Sequence, residues 1–130
     1  MLSTKWIRAL AVVICAAGLF WAGVAAGQNK FGTPSTIISV SIIKWKDGVP
    51  DAEKQKALEG VKDMARQIPG MKNVWIKAIR VQPREYNDIF VIEFESKEAA
   101  EVYRTHPVHE KWSTEYLKIR EASISPQISN

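Results

Sequence analysis

Asp88-Ile89-Phe90-Val91-Ile92-Glu93-Phe94 is the stretch on which the fold turns. Its β-branched and aromatic side chains read as a strand, and its two parities hardly differ. Phe90, Ile92 and Phe94 stand on one side, Ile89 and Val91 on the other. Thr36–Lys46 repeats the property, with Ile38, Val40 and Ile42 against Ile37, Ile43 and Trp45. An antiparallel sheet with one wet face alternates apolar and polar residues instead. Both faces of this sheet therefore expect cover.

Outward from these strands the chain resolves into few elements. Asp51–Ile68 carries Ala57, Leu58, Val61, Met64, Ala65 and Ile68 on one helical stripe. Pro50 suits its first position, and Pro69-Gly70 ends it. Met71–Gln82 reads as a second strand, followed by a turn at Pro83–Tyr86. Ser96 is a good N-cap for a helix from Lys97 to about Thr105, and Pro107 restarts helix through Arg120. Glu121–Ile128 is a last strand, with Pro126 indicating a sheet edge. The order βαββαβ predicts an α+β protomer with its helices on one face of a four-stranded antiparallel sheet. Those helices cover one face only. The other would expose a broad apolar patch, which a second copy packed by two-fold symmetry removes, so a homodimer is expected.

Residues 1–27 differ from this domain. Lys5 and Arg8 precede Ala9–Gly27, a run of 19 uncharged residues ending in small side chains. This matches a secretory signal peptide cleaved after Ala26 or Gly27, with a retained membrane anchor as the alternative. Residues 28–35 read as a linker, and 36–130 as the domain. Ile14 before Cys15 disfavours a lipid anchor, and the absence of a twin arginine fits export of an unfolded chain. The expected location is periplasmic or secreted, or membrane-anchored facing outward. Membrane contact is expected only if residues 9–27 are retained.

Composition excludes more than it assigns. The chain of 130 residues has room for one core, and 46% hydrophobic with 25% charged residues is an ordinary globular mix. One Cys makes neither an internal disulfide nor a thiolate metal cluster. A net charge of +4, from which cleavage removes Lys5 and Arg8, is a poor basis for nucleic-acid binding.

Four landmarks carry a resemblance. They are Ile43-Lys44-Trp45-Lys46-Asp47, Ile68-Pro69-Gly70, Phe94-Glu95-Ser96 and Tyr103-Arg104-Thr105-His106-Pro107-Val108-His109. In this order and spacing the chain resembles the stress-responsive A/B barrel (Dabb) family over about residues 36 to 128. The resemblance implies a ferredoxin-like protomer whose sheet joins its mate's in a dimeric α/β barrel. Polyketide cyclases of that family use a Tyr and a His in the helix-break segment, matching Tyr103 and His109. Their strand histidines correspond to Ser39 and Asp88, so half of that polar set has changed.

On this reading His109 removes a proton alpha to a carbonyl while Tyr103 hydrogen-bonds the developing oxyanion. The competing reading makes both residues packed aromatics. A small apolar or aromatic molecule is expected between the first helix and the sheet. Ile43, Leu58, Val61, Phe90 and Ile92 would be its walls, with Tyr103, His109, Ser39 and Asp88 as polar contacts. Enzymatic alternatives are a cyclase-like lyase and a cofactor-free monooxygenase; a structural stress module without a ligand is the third. His106 and His109, with Glu110 and Asp88, are weighed as metal ligands and set aside for want of a convincing third donor, so no metal and no cofactor are expected.

Overall fold

The computed structural model describes residues 6–8, 13–15 and 35–129. Trp6–Arg8 and Val13–Cys15 are helical, and among the described residues no helix is long and apolar enough to cross a membrane. The proposed cleavage site and all but the last residue of the linker lie outside the described residues.

β-branched residues set strand β1 (Ile37–Trp45), after which a turn at Gly48 leads into helix α1 (Asp51–Ala65). Strands β2 (Met71–Trp75) and β3 (Asp88–Phe94) follow. Helices α2 (Lys97–Thr105) and α3 (Pro107–Ile119) lead to β4 (Arg120–Ile124) and the two-residue β5 (Gln127–Ile128). The sheet order is β2-β3-β1-β4, antiparallel throughout, with β5 paired to β1. This is the ferredoxin-like α+β arrangement expected.

Register fixes which side chains meet. Ser39 lies opposite Ile92, Ser41 opposite Phe90 and Ile43 opposite Asp88. Paired residues share a face, so the odd positions of β1 and the even positions of β3 stand together beneath the helices. There α1 buries Leu58, Val61 and Met64 against Ile43, Ile92 and Phe94, each at most 2% exposed. Each such side chain contributes about 1.5–3 kcal/mol of hydrophobic stabilisation. Ser96 caps α2, its Oγ accepting from Ala99 N at 3.2 Å. Gly70 has φ +84°, and a Cβ there would stand 2.5 Å from that of Ala99, so both the turn and the approach of α2 require glycine.

Three details differ from the sequence reading. β2 ends at Trp75, not Gln82: residues 76–87 leave the ladder, and Ile79, 98% exposed, has nothing to pack on. Alternation without a hydrogen-bonding partner does not make a strand. The final strand is interrupted around Pro126, which has no N–H to donate and whose carbonyl accepts from Val40 N at 2.9 Å. Pro50 is the N-cap of α1 rather than its first residue.

The opposite sheet face carries Ile38, Val40, Ile42, Ile89 and Val91, all half-buried, beside Trp75 at 51% and Ile124 at 43% exposed. Helices α1 to α3 lie on the other face, and the sheet does not close on itself within one subunit.

Candidate functional site

The helix break builds the site. Pro107 disfavours helical geometry at the residue before it, and His106 is extended at φ −73° and ψ 134°. The His106 Nδ1 accepts from Val108 N at 3.2 Å, capping α3. The chain thus turns between the last turn of α2 and the first of α3. Tyr103 and His109, six positions apart in sequence, come to 4.2 Å between ring centroids.

One hydrogen bond sets the His109 tautomer. Its Nδ1 lies 3.2 Å from the Arg104 carbonyl oxygen. A carbonyl only accepts, so Nδ1 carries the proton and Nε2 presents its lone pair. Burial lowers the His109 pKa from 6.5, opposed by that hydrogen bond and by Glu110. The ring is therefore neutral at pH 7 and Nε2 is basic. Burial pushes the Tyr103 phenol well above its usual 10.0, with Tyr116 adding to the effect, so Tyr103 stays a protonated donor.

Aromatic rings continue from this pair along the sheet. Phe94 lies 5.1 Å from Tyr103, and Trp112 lies 6.1 Å from His109. Trp112 stacks on Tyr116 at 4.6 Å, Phe90 meets both edge-on, and Tyr116 meets Trp45 at 5.9 Å. Trp112 is pinned by its Nε1, which donates to the Ala57 carbonyl at 2.8 Å.

Asp88 closes the far end of the row, its Oδ2 accepting from Trp45 Nε1 at 2.7 Å. Two clefts open beside it. One, of about 420 Å³, is lined by Trp45, Asp51 and Lys54 among others. The other, of about 370 Å³, is lined by Gln55, Glu59 and Ile76 among others.

The expected site is thus only partly assembled. Tyr103 and His109 meet, whereas Asp88 sits at the opposite end of β3 from Phe94, about 20 Å away at roughly 3.3 Å per residue. Ser39 faces the helices opposite Ile92, between these ends. Ile43, Leu58, Val61, Phe90 and Ile92 belong to one core cluster, at most 5% exposed, instead of standing apart as walls. Helix α1 packs directly on the sheet there, and the clefts open further along. Among the described residues no three His, Cys, Asp or Glu side chains are grouped to hold a metal.

The sequence reading passed over a polar group near β4. Arg120 Nη1 donates to Ser123 Oγ at 2.7 Å, and Ser125 Oγ lies 3.5 Å from both Ser123 Oγ and Ser41 Oγ. The available signal was the repeated Ser-x-Ser, Ser39-Val-Ser41 and Ser123-Ile-Ser125, which puts all four hydroxyls on one parity.

Residues 39–125 match the model of the stress-responsive A/B barrel domain. The chain belongs to the stress-responsive A/B barrel family. Among relatives of this A/B barrel domain, olivetolic acid cyclase of Cannabis sativa is 32% identical over 71 residues, spanning 52% of this chain and 70% of that one. A stress-response A/B barrel domain-containing protein of Arabidopsis thaliana is 32% identical over 81 residues, 60% of this chain and 74% of its own. In structure, a dimeric ferredoxin-like protein of Bacteroides fragilis superposes with a TM-score of 0.62 at 16% identity, covering 76% of this chain and all of that one (100%). Fold and family agree with the landmarks quoted from the sequence.

Proposed function

We propose that this A/B barrel domain is an exported homodimer that binds a small apolar or aromatic molecule along the helix-covered face of its sheet. The contact between Tyr103 and His109 carries the reading: a protonated phenol and a basic imidazole nitrogen stand side by side at the head of an aromatic row. Apolar surface with few polar groups is the usual form of a small-molecule site. The clefts at Asp88 open at the other end of that row. Ile43, Leu58, Val61 and Ile92 act from behind as the rigid support of that row. Dimerisation is supported by the apolar outer face and by the dimeric Bacteroides fragilis structure. Export is supported by Lys5, Arg8 and the uncharged run that follows them.

Native mass spectrometry of the purified full chain tests the reading. A small molecule should accompany the wild type and be depleted in His109→Ala and Tyr103→Phe. A wild type that carries none and takes up none from an aromatic library would overturn it.

The His109 tautomer favours a second reading, a lyase of cyclase type. Nε2 of neutral His109 removes a proton alpha to a carbonyl, and Tyr103 donates to the oxygen on which charge develops. The cyclase relative lends support. Turnover of β-polyketone substrates should fall at least about a hundredfold in His109→Ala, the usual scale for losing a general base. Equal rates in wild type, His109→Ala and Tyr103→Phe would remove both residues from any mechanism.

A further inference from the structure

We infer that the β4 end of the helix-covered face is an anion-binding site that takes the carboxylate of a small molecule, with Arg120 as its charged contact. The inference rests on the small-molecule reading above and adds the chemical class of the ligand.

Arg120 opens β4 opposite Trp45, directly after α3. Its guanidinium is only partly solvated, yet among the described residues no carboxylate lies within salt-bridge distance of it. The adjacent Glu121 is taken by Lys44 Nζ at 2.7 Å. A half-buried cation without a counter-charge is unfavourable, because water no longer solvates it fully. Its one hydrogen bond is Nη1 to Ser123 Oγ, and Nε is buried with no acceptor.

A second observation points the same way. Tyr116 Oη is buried without a hydrogen-bond partner, on a residue 6% exposed. Arg120 lies 5.4 Å from the centroid of its ring. Arg120 and Ser123 are its polar neighbours and favour the ionised phenol against burial, at a geometry short of a well-aligned hydrogen bond to Oη.

The surroundings complete a donor-rich patch. Ser41, Ser123 and Ser125 present hydroxyls only 3.5 Å apart, long for O–H···O bonds and free to turn towards a better acceptor. The guanidinium N–H groups not given to Ser123, together with the neighbouring hydroxyls, suit a ligand that only accepts. A carboxylate fits the planar guanidinium fork, and its single negative charge matches a single Arg. The exposed Ser125 leaves the patch approachable from the β4–β5 edge. Tyr116, stacked on Trp112, is the core aromatic beside this patch.

Benzoate and its uncharged isostere benzamide test the inference on the full chain. Calorimetry should give saturable benzoate binding with benzamide about tenfold weaker, the scale of one hydrogen bond to a charged group. The Arg120 Nε–Hε resonance should move with benzoate and stay still with benzamide. Arg120→Gln should bring benzoate down to the benzamide level, and if that variant fails to fold, the wild-type comparison and the resonance decide. Equal affinity for both probes, or a still Arg120 resonance, overturns the anion site while leaving small-molecule binding standing. Binding of neither probe also overturns it, and mass spectrometry of co-purifying molecules then judges the broader reading separately.

Discussion

His109 shows how little of a side chain's chemistry belongs to the residue alone. Burial holds its pKa below 6.5 against the Arg104 carbonyl and Glu110, so the folded form is neutral. As pH falls, the unfolded chain takes up this proton before the folded one does, and stability therefore rises with pH in that range. The contribution is whole above 6.5 and is lost as pH falls from there towards the lower folded value. Urea midpoints of the wild type should drop as pH is lowered from about 7 to 5.5, and those of His109→Gln should drop less. Parallel curves would show that His109 is not the group responsible. Candidate status for Tyr103 and His109 was legible in the sequence through the helix-break landmark. Their contact was not, because six residues across a break correspond to no helical period.

At the level of elements, the crossing of α1 and α3 turns on Gly60. A Cβ at this position would stand 2.6 Å from Trp112 Cδ1 and 2.8 Å from its Nε1. The indole cannot swing aside without giving up its hydrogen bond to Ala57. Alanine improves helix propensity by about 1 kcal/mol, whereas overpacking a tight contact costs about 1–3 kcal/mol. The clash should win. Gly60→Ala is expected to lower stability by up to about 2 kcal/mol net in a urea titration, with altered tryptophan fluorescence. A stabilised variant would show that the helices slide apart freely. The stripe that makes α1 a helix was readable from Leu58, Val61 and Met64. Gly60 was silent, since an approach between helices leaves no periodic mark, and the strand expected through Gln82 failed because alternation says nothing about a partner.

For the whole molecule, the outer sheet face is decisive. Val91 lies on it, paired with Val40 and Trp75 and facing away from helices α1 to α3. Val91→Glu should convert a dimer to a monomer in light scattering while leaving the circular dichroism of the subunit unchanged. A dimer that survives the added charge would place the interface elsewhere. The amino-acid sequence by itself determined the order of elements, the doubly apolar strands and the broken helix, because local propensity and periodicity act over a few residues. Only the tertiary structure decided that Tyr103 meets His109, that Asp88 stands at the other end of β3, and that Ser41, Ser123 and Arg120 converge. Those outcomes depend on strand register and helix packing, which are settled by contacts between residues far apart in the chain.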